Sequence, residues 1–135
     1  MILLPNVKSN TENLHIHGYT TNIKSNDFLG VYGTDADLIL ALIEKRPELK
    51  EKIHPNHSII KGQVIWAIQH EDAKTIEDFL ARRSRLLFLD AKASIECAES
   101  VAEIFKNELN LSDEWKQKEI LRFTTLANQY LLSEL

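Results

Sequence analysis

Apolar residues along this chain are spaced in two different ways, and the change falls near Thr34. Before it there is little periodicity. Asn6, Asn10, Asn13, Asn22 and Asn26 alternate with Ser and Thr, and Gly18 and Gly30 interrupt what remains. We read residues 1–33 as an irregular lead-in, with Leu14, Ile16, Phe28, Leu29 and Val31 expected to pack onto the helices. A stretch this long without a period belongs to a linker, and Met1 then reads as a truncation point. From residue 34 to 135 the spacing is helical, with apolar residues recurring at intervals of three and four.

Five helices are predicted there. Thr34 is placed to cap the first, with Asp37 three residues on as a variant capping box. Leu38 and Leu42, and Ile39 and Ile43, form its apolar pairs. Pro47 ends it and opens a short turn, and His54-Pro55-Asn56-His57 reads as a loop. The second helix runs from about Ile59 to His70, with a stripe of Ile60, Val64, Ala67 and Ile68 and with Trp66 at its margin. Gly62 inside it costs roughly 1 kcal/mol relative to Ala, which points to another backbone passing close. Thr75 starts the third helix, with Asp78 three residues later and Ile76, Phe79 and Leu80 facing inward. Asp90 caps the fourth and longest, on the pattern Ala91, Ile95, Ala98, Ala102, Phe105, Leu109. Ser112 caps the fifth, whose stripe is Ile120, Phe123, Ala127, Tyr130 and Leu131. The expected fold is all-α: a compact irregular bundle of about five helices behind an irregular N-terminal lead-in.

Composition narrows the function classes. The 135 residues are 44% hydrophobic and 27% charged, with 4 Gly and 3 Pro. So few turn formers argue against an all-β fold. The formal net charge of −4 disfavours a nucleic-acid partner, which needs a basic face. The single cysteine, Cys97, cannot form an internal disulfide and fits a reducing compartment. No apolar run reaches the length of a transmembrane segment.

Candidate chemistry is sparse. His15-x-His17 could bind a metal from one face of a strand, but no cysteine lies nearby in sequence and a connector is preferred. His54 and His57 flank a turn and are expected to face solvent. His70 ends a helix, where a protonated imidazole suits the dipole. Glu71 and Asp72 are adjacent and point apart. Cys97, among Ala93, Ile95, Ala98 and Val101, reads as an inert thiol, and Trp66 and Trp115 as core or interface aromatics. Arg82, Arg83 and Arg85 form the one cluster that stands out. Arginine forks match phosphate or carboxylate, which gives an anion site or interdomain contact. They equally suit a charged helix end, with Asp78 at ion-pair spacing from Arg82. The sequence holds no Gly-rich dinucleotide loop, nucleophile elbow or Cys-x-x-Cys pair, so no catalytic, cofactor-binding or metal residue is assigned.

One segment carries a resemblance. His70, Glu71, Ala73, Thr75, Asp78, Leu80, Arg82, Arg83, Ser84, Arg85, Phe88, Leu89, Asp90 and Ala91 match a run typical of the C-terminal helical domain of FAD-dependent (aerobic) glycerol-3-phosphate dehydrogenases and alpha-glycerophosphate oxidases. Tyr32-Gly33-Thr34 and the His15 to Gly18 stretch are also similar to that family. The resemblance implies an accessory domain of a parent that oxidises glycerol 3-phosphate to dihydroxyacetone phosphate. FAD in the parent takes the hydride and passes electrons to a quinone or to oxygen. The family's FAD and substrate residues lie mainly in N-terminal domains outside these 135 residues, so no cofactor is expected in this chain and the fragment alone is expected to be inactive. The implied partner is the flavin-binding domain of the same polypeptide, with a homodimer as a further contact. The implied setting is cytoplasmic, or the cytoplasmic face of the inner membrane for the full-length protein. On this view Arg82, Arg83 and Arg85 serve interdomain docking rather than substrate binding. The alternatives are a free-standing helical interaction module, which would need an exposed apolar patch, and a small-molecule sensor using the arginines for phosphate.

Overall fold

The computed structural model describes residues 8–22 and 28–132, and every regular element among them is helical. The sole β-type pairing among the described residues is an isolated antiparallel bridge between Lys52 and Ile60. Met1, Asn6 and Asn26 of the lead-in reading fall outside the described residues. The chain divides into two compact units, residues 1–38 and 39–135.

The first unit holds two 3-10 segments, Thr11–Asn13 and Gly30–Asp35. Gly18 and Gly33 both take positive φ, and the backbone kinks at Gly33. A Cβ on Gly33 would lie 1.8 Å from the carbonyl oxygen of Gly18, so only glycine fits. That close approach is closed by the Thr34 N–H, which donates to the same oxygen at 3.1 Å. Thr34 therefore sits inside the 3-10 segment, and α1 (Ala36–Lys45) begins two residues later than Thr34. Of the five apolar residues expected to pack, Leu29 is buried, whereas Leu14, Ile16, Phe28 and Val31 are exposed. Without a repeating period, neighbouring apolar residues share no common face to bury.

The second unit contains the core. Pro47 opens the 3-10 turn Pro47–Lys50, as its position predicts. In α2 (Lys61–His70), residues 62–68 are all buried, including Trp66, so the expected one-sided stripe is replaced by burial all round. The cause is packing on several sides: α2 touches the Pro47–Lys50 turn, the 78–83 segment and the long helix that begins at Ala91. A Cβ on Gly62 would meet the Leu49 carbonyl oxygen at 3.4 Å and Ile43 Cγ1 at 3.3 Å, which is the close backbone approach expected there.

The third predicted helix starts as a short α turn and widens into a π-helix, Asp78–Arg83. Ile76, Phe79 and Leu80 are fully buried. The Ser84 N–H donates to the Phe79 carbonyl at 2.8 Å, and the Ser84 hydroxyl donates to the same oxygen at 3.0 Å. Arg85 then takes the left-handed conformation and leads into the one-turn helix α3 (Leu86–Leu89). Helix α4 (Ala91–Leu109) and helix α5 (Asp113–Ala127) pack along each other. Both caps form as predicted: Asp90 Oδ1 accepts from Ala93 N–H at 2.9 Å, and Ser112 Oγ accepts from Trp115 N–H at 3.1 Å. Phe79, Phe105 and Phe123 are the largest fully buried side chains. Tyr130 and Leu131 leave the predicted stripe, because α5 ends at Ala127 and both are exposed beyond it.

Candidate functional site

The segment from Glu71 to Lys92 gathers the arginine cluster, the Asp90 carboxylate and an exposed aromatic edge. Its start is fixed by a reciprocal box. Asp78 Oδ2 accepts from the N–H of Thr75 at 3.0 Å and of Lys74 at 3.1 Å, and Thr75 Oγ1 accepts from the Asp78 N–H at 3.1 Å. Partial burial pushes the Asp78 carboxyl up. The N–H donors of Lys74 and Thr75, the Thr75 hydroxyl and the Arg82 charge outweigh it and hold the group below its ordinary value.

The three arginines do not act together. Arg82 forks onto its own helix, Nη1 to Asp78 Oδ1 at 3.1 Å and Nη2 to Glu77 Oε1 at 2.8 Å. Arg83 donates to the Glu71 carbonyl oxygen and lies 3.4 Å from Glu71 Oε2, which ties the end of the π-helix to the end of α2. Arg85 is exposed, and its side chain has neither hydrogen bond nor ion pair among the described residues. Glu77 also receives Arg122 of α5 at 3.5 Å. Beneath that network lies Glu119, buried, its Oε1 lacking a hydrogen-bond partner among the described residues. Burial pushes its carboxyl up, and the nearby Arg122 charge only partly opposes this.

Both loop histidines meet carboxylates. His54, only 7% exposed, is 2.9 Å through Nε2 from Glu96 Oε2, while its Nδ1 accepts from the Asn56 N–H. His57 Nε2 is 3.0 Å from Asp90 Oδ2. The loop is thereby latched to the first turns of α4, which corrects the expectation that both rings face solvent. Asp90 serves twice, as helix cap and as histidine partner. The Ala93 N–H, and then the His57 ring, hold its carboxyl below the ordinary value. Sequence spacing could not show these pairs, because the partners lie 33 and 42 residues apart.

The remaining candidates are engaged within the fold. His17 Nε2 lies 2.8 Å from Asp35 Oδ2, and His15 stacks on Tyr19. No group of three potential metal ligands exists among the described residues. His70 stacks on Trp66 with ring centroids 4.0 Å apart. Asp72, in the left-handed region, pairs with Lys74, so Glu71 and Asp72 do not form an acid–base couple. Cys97 is buried and its thiol is pushed up to about 12 by desolvation, which makes it a poor nucleophile. The described residues do not fit a flavin: its usual strand–turn–helix cradle needs a strand, and they offer an isolated bridge instead.

An apolar edge completes the segment. Leu86 to Leu89 form a single turn in which four apolar residues circle the axis. Leu86 and Leu87 are buried, so Phe88 and Leu89 must face out. Phe88 meets Tyr130 edge-to-face with centroids 5.5 Å apart. Together with Leu87, Leu89, Asp90, Ala91, Lys92, Leu131 and Leu132 they line an open groove. The clue available in the sequence was the unbroken run LLFL, too apolar for a one-turn helix packed on one side.

Comparison with known proteins gives these observations a setting. A glycerol-3-phosphate dehydrogenase of Synechocystis sp. is 30% identical over 99 residues, 73% of this chain and 18% of that protein. A mitochondrial glycerol-3-phosphate dehydrogenase of Arabidopsis thaliana is 32% identical over 91 residues, 67% of this chain and 14% of the relative. A glycerol-3-phosphate dehydrogenase of Mycobacterium leprae is 27% identical over 103 residues, 76% of this chain and 18% of the relative. The chain thus spans less than a fifth of the length of these relatives. No solved structure matches it. A family model described as the C-terminal domain of alpha-glycerophosphate oxidase matches residues 8–116, and the chain belongs to that family.

Proposed function

We propose that this chain is the C-terminal accessory domain of an FAD-dependent glycerol-3-phosphate dehydrogenase, with a structural rather than chemical task. The parent would oxidise glycerol 3-phosphate to dihydroxyacetone phosphate, with FAD and substrate held by the rest of the polypeptide. Electrons would pass from FAD to a quinone or to oxygen. The domain would brace the flavin-binding part from the cytoplasm or the cytoplasmic face of the inner membrane. The observation that carries this reading is the family match over residues 8–116, on a chain that covers only 18% of its cyanobacterial relative.

The arginine geometry supports bracing over substrate binding. Arg82 and Arg83 are occupied by Glu77, Asp78 and Glu71. A phosphate would have to displace these carboxylates to claim either fork. Within the cluster, Arg85 is left for an outside carboxylate or carbonyl.

The test is the source DNA upstream of Met1. An in-frame continuation into a Gly-rich strand–turn–helix is the expected result. A stop codon there, with a ribosome site before Met1, would sink the proposal and leave a free-standing interaction module in its place.

A further inference from the structure

We propose that the groove between α3, the start of α4 and residues 130–132 is the socket by which this domain seats on the body of its own longer polypeptide. It would receive an apolar side chain from that body, flanked by a carboxylate. The inference deepens the accessory-domain reading and rests on it.

Three observations select this surface. Phe88 is 55% exposed and Leu89 77% exposed, on a helix whose other two residues are buried. Water is a poor neighbour for such a cluster, and contiguous exposed apolar surface marks a partner site. The surface is also concave, walled by the Phe88–Tyr130 pair and by Leu131, a shape that accepts a protruding side chain. Finally, Asp90 on its lining is already engaged by His57 and the Ala93 N–H, which leaves Lys92 on the lining, with Arg85 four residues before Leu89 in the chain. The Lys92 and Arg85 side chains are exposed and unpaired among the described residues. Arg85 holds a left-handed backbone with φ 59°, a conformation that an arginine adopts at a cost and for which no side-chain hydrogen bond or ion pair among the described residues compensates.

The same observations choose the occupant. A second copy meeting this face about a two-fold axis would bring the Arg85 and Lys92 of both copies to one interface, where the Asp90 carboxylates are already engaged by His57 and the Ala93 N–H. A handful of side chains also falls short of the roughly 20–30 residues a side that a stable free complex uses. A body joined by the backbone is different. Its effective concentration reaches about the millimolar range, so a small socket suffices. The relatives supply such a body, since the matched region is only 18% of the Synechocystis protein and 14% of the Arabidopsis protein. A lipid surface would favour a convex apolar face laid into it rather than a groove, and the two cations unpaired here among the described residues fall short of the roughly 4–8 basic residues that mark an anionic-lipid site.

The experiment uses the full-length polypeptide, read from the upstream DNA. Two single-cysteine additions are compared for maleimide labelling: Leu89→Cys in the groove and Leu121→Cys on α5, a residue 70% exposed. Cys97 is buried and stays unlabelled while the fold holds. Labelling of Leu89→Cys is expected to be at least about tenfold slower than that of Leu121→Cys, the ratio that about 1.4 kcal/mol of seating would give. Adding Arg85→Glu to the Leu89→Cys variant is expected to restore much of the rate. Equal rates at the two positions would overturn the socket. So would protection that disappears on dilution, the mark of a second copy, or protection seen only with anionic phospholipid vesicles. These failures leave the accessory-domain reading intact, because that reading fails on the DNA alone, by a stop codon directly upstream of Met1.

Discussion

Single residues set side-chain chemistry against backbone and solvent most sharply at Gly33 and Glu119. Gly33 is the stricter case. Its φ of 56°, and the Gly18 oxygen only 1.8 Å from where a Cβ would lie, leave no room for alanine. Gly33→Ala should therefore break the Thr34 N–H bond to Gly18, seen as lost hydrogen-exchange protection at Thr34. Glu119 is a buried carboxylate with a raised pKa. A raised acid pKa favours the folded state below the unfolded value, and that advantage is lost as pH rises through the folded value. Glu119→Gln should therefore raise the melting temperature at pH 7, by about 4 °C for each kcal/mol relieved. The gain should shrink below about pH 4, near the unfolded glutamate value.

Among elements, caps and cross-helix charges decide where each helix begins and how α4 and α5 hold together. The Asp90 and Ser112 caps satisfy N–H groups that the first turn of each helix leaves open. Between the two helices, Glu103 accepts from Lys116 at 2.8 Å and pairs with Lys106 at 2.9 Å, and Lys106 also reaches Asp113. Lys116, and then Lys106, bring the Glu103 carboxyl down to about 2. A depressed acid pKa contributes stability above the unfolded value that is lost as pH falls through the folded value. The acid limb of unfolding should accordingly lie between about pH 4.5 and 2. Glu103→Gln should flatten it in a fluorescence titration following Trp115, which packs beside Phe105. Persistence of the full limb in that variant would assign it to other carboxylates.

Across the molecule, the second unit is organised around α2 and α4. The fully buried Phe79, Phe105 and Phe123 come from three different elements. Phe105→Ala should cost about 3–5 kcal/mol, because a cavity left among these elements cannot be refilled by one of them alone. The loss would appear as a cooperative drop in melting temperature. The histidine latch works at the same scale. His54 and His57 join a loop to α4 and its cap across more than thirty residues of chain, since their partners lie 42 and 33 positions away. Replacing both with glutamine should loosen the loop and leave α4 helical, a separation that hydrogen exchange would resolve.

Most of what depends on neighbours within about four residues could be read directly from the chain; the Thr34–Asp37 box is the exception, because Thr34 lies inside a 3-10 segment and its N–H goes to the Gly18 carbonyl. The Asp90 and Ser112 caps, the Thr75–Asp78 box, the inward Ile76, Phe79 and Leu80 and the all-helical class are local hydrogen-bond and periodicity effects. The family motif was equally legible, because it fixes identities rather than a period. Packing in three dimensions settled the rest. Whether α2 would bury one face or its whole circumference depended on how many elements pack around it. Where the third helix would widen into π geometry depended on Ser84 reaching the Phe79 carbonyl. Spacing gave Arg82 its Asp78 partner, but not the tie of Arg83 to Glu71 twelve residues away or the exposure of Arg85. It suggested one cluster, whereas the fold gives two of the arginines carboxylate partners, Glu77, Asp78 and Glu71, and leaves the third exposed. Partner choice across space, unlike helix capping, is set by which elements the core brings together.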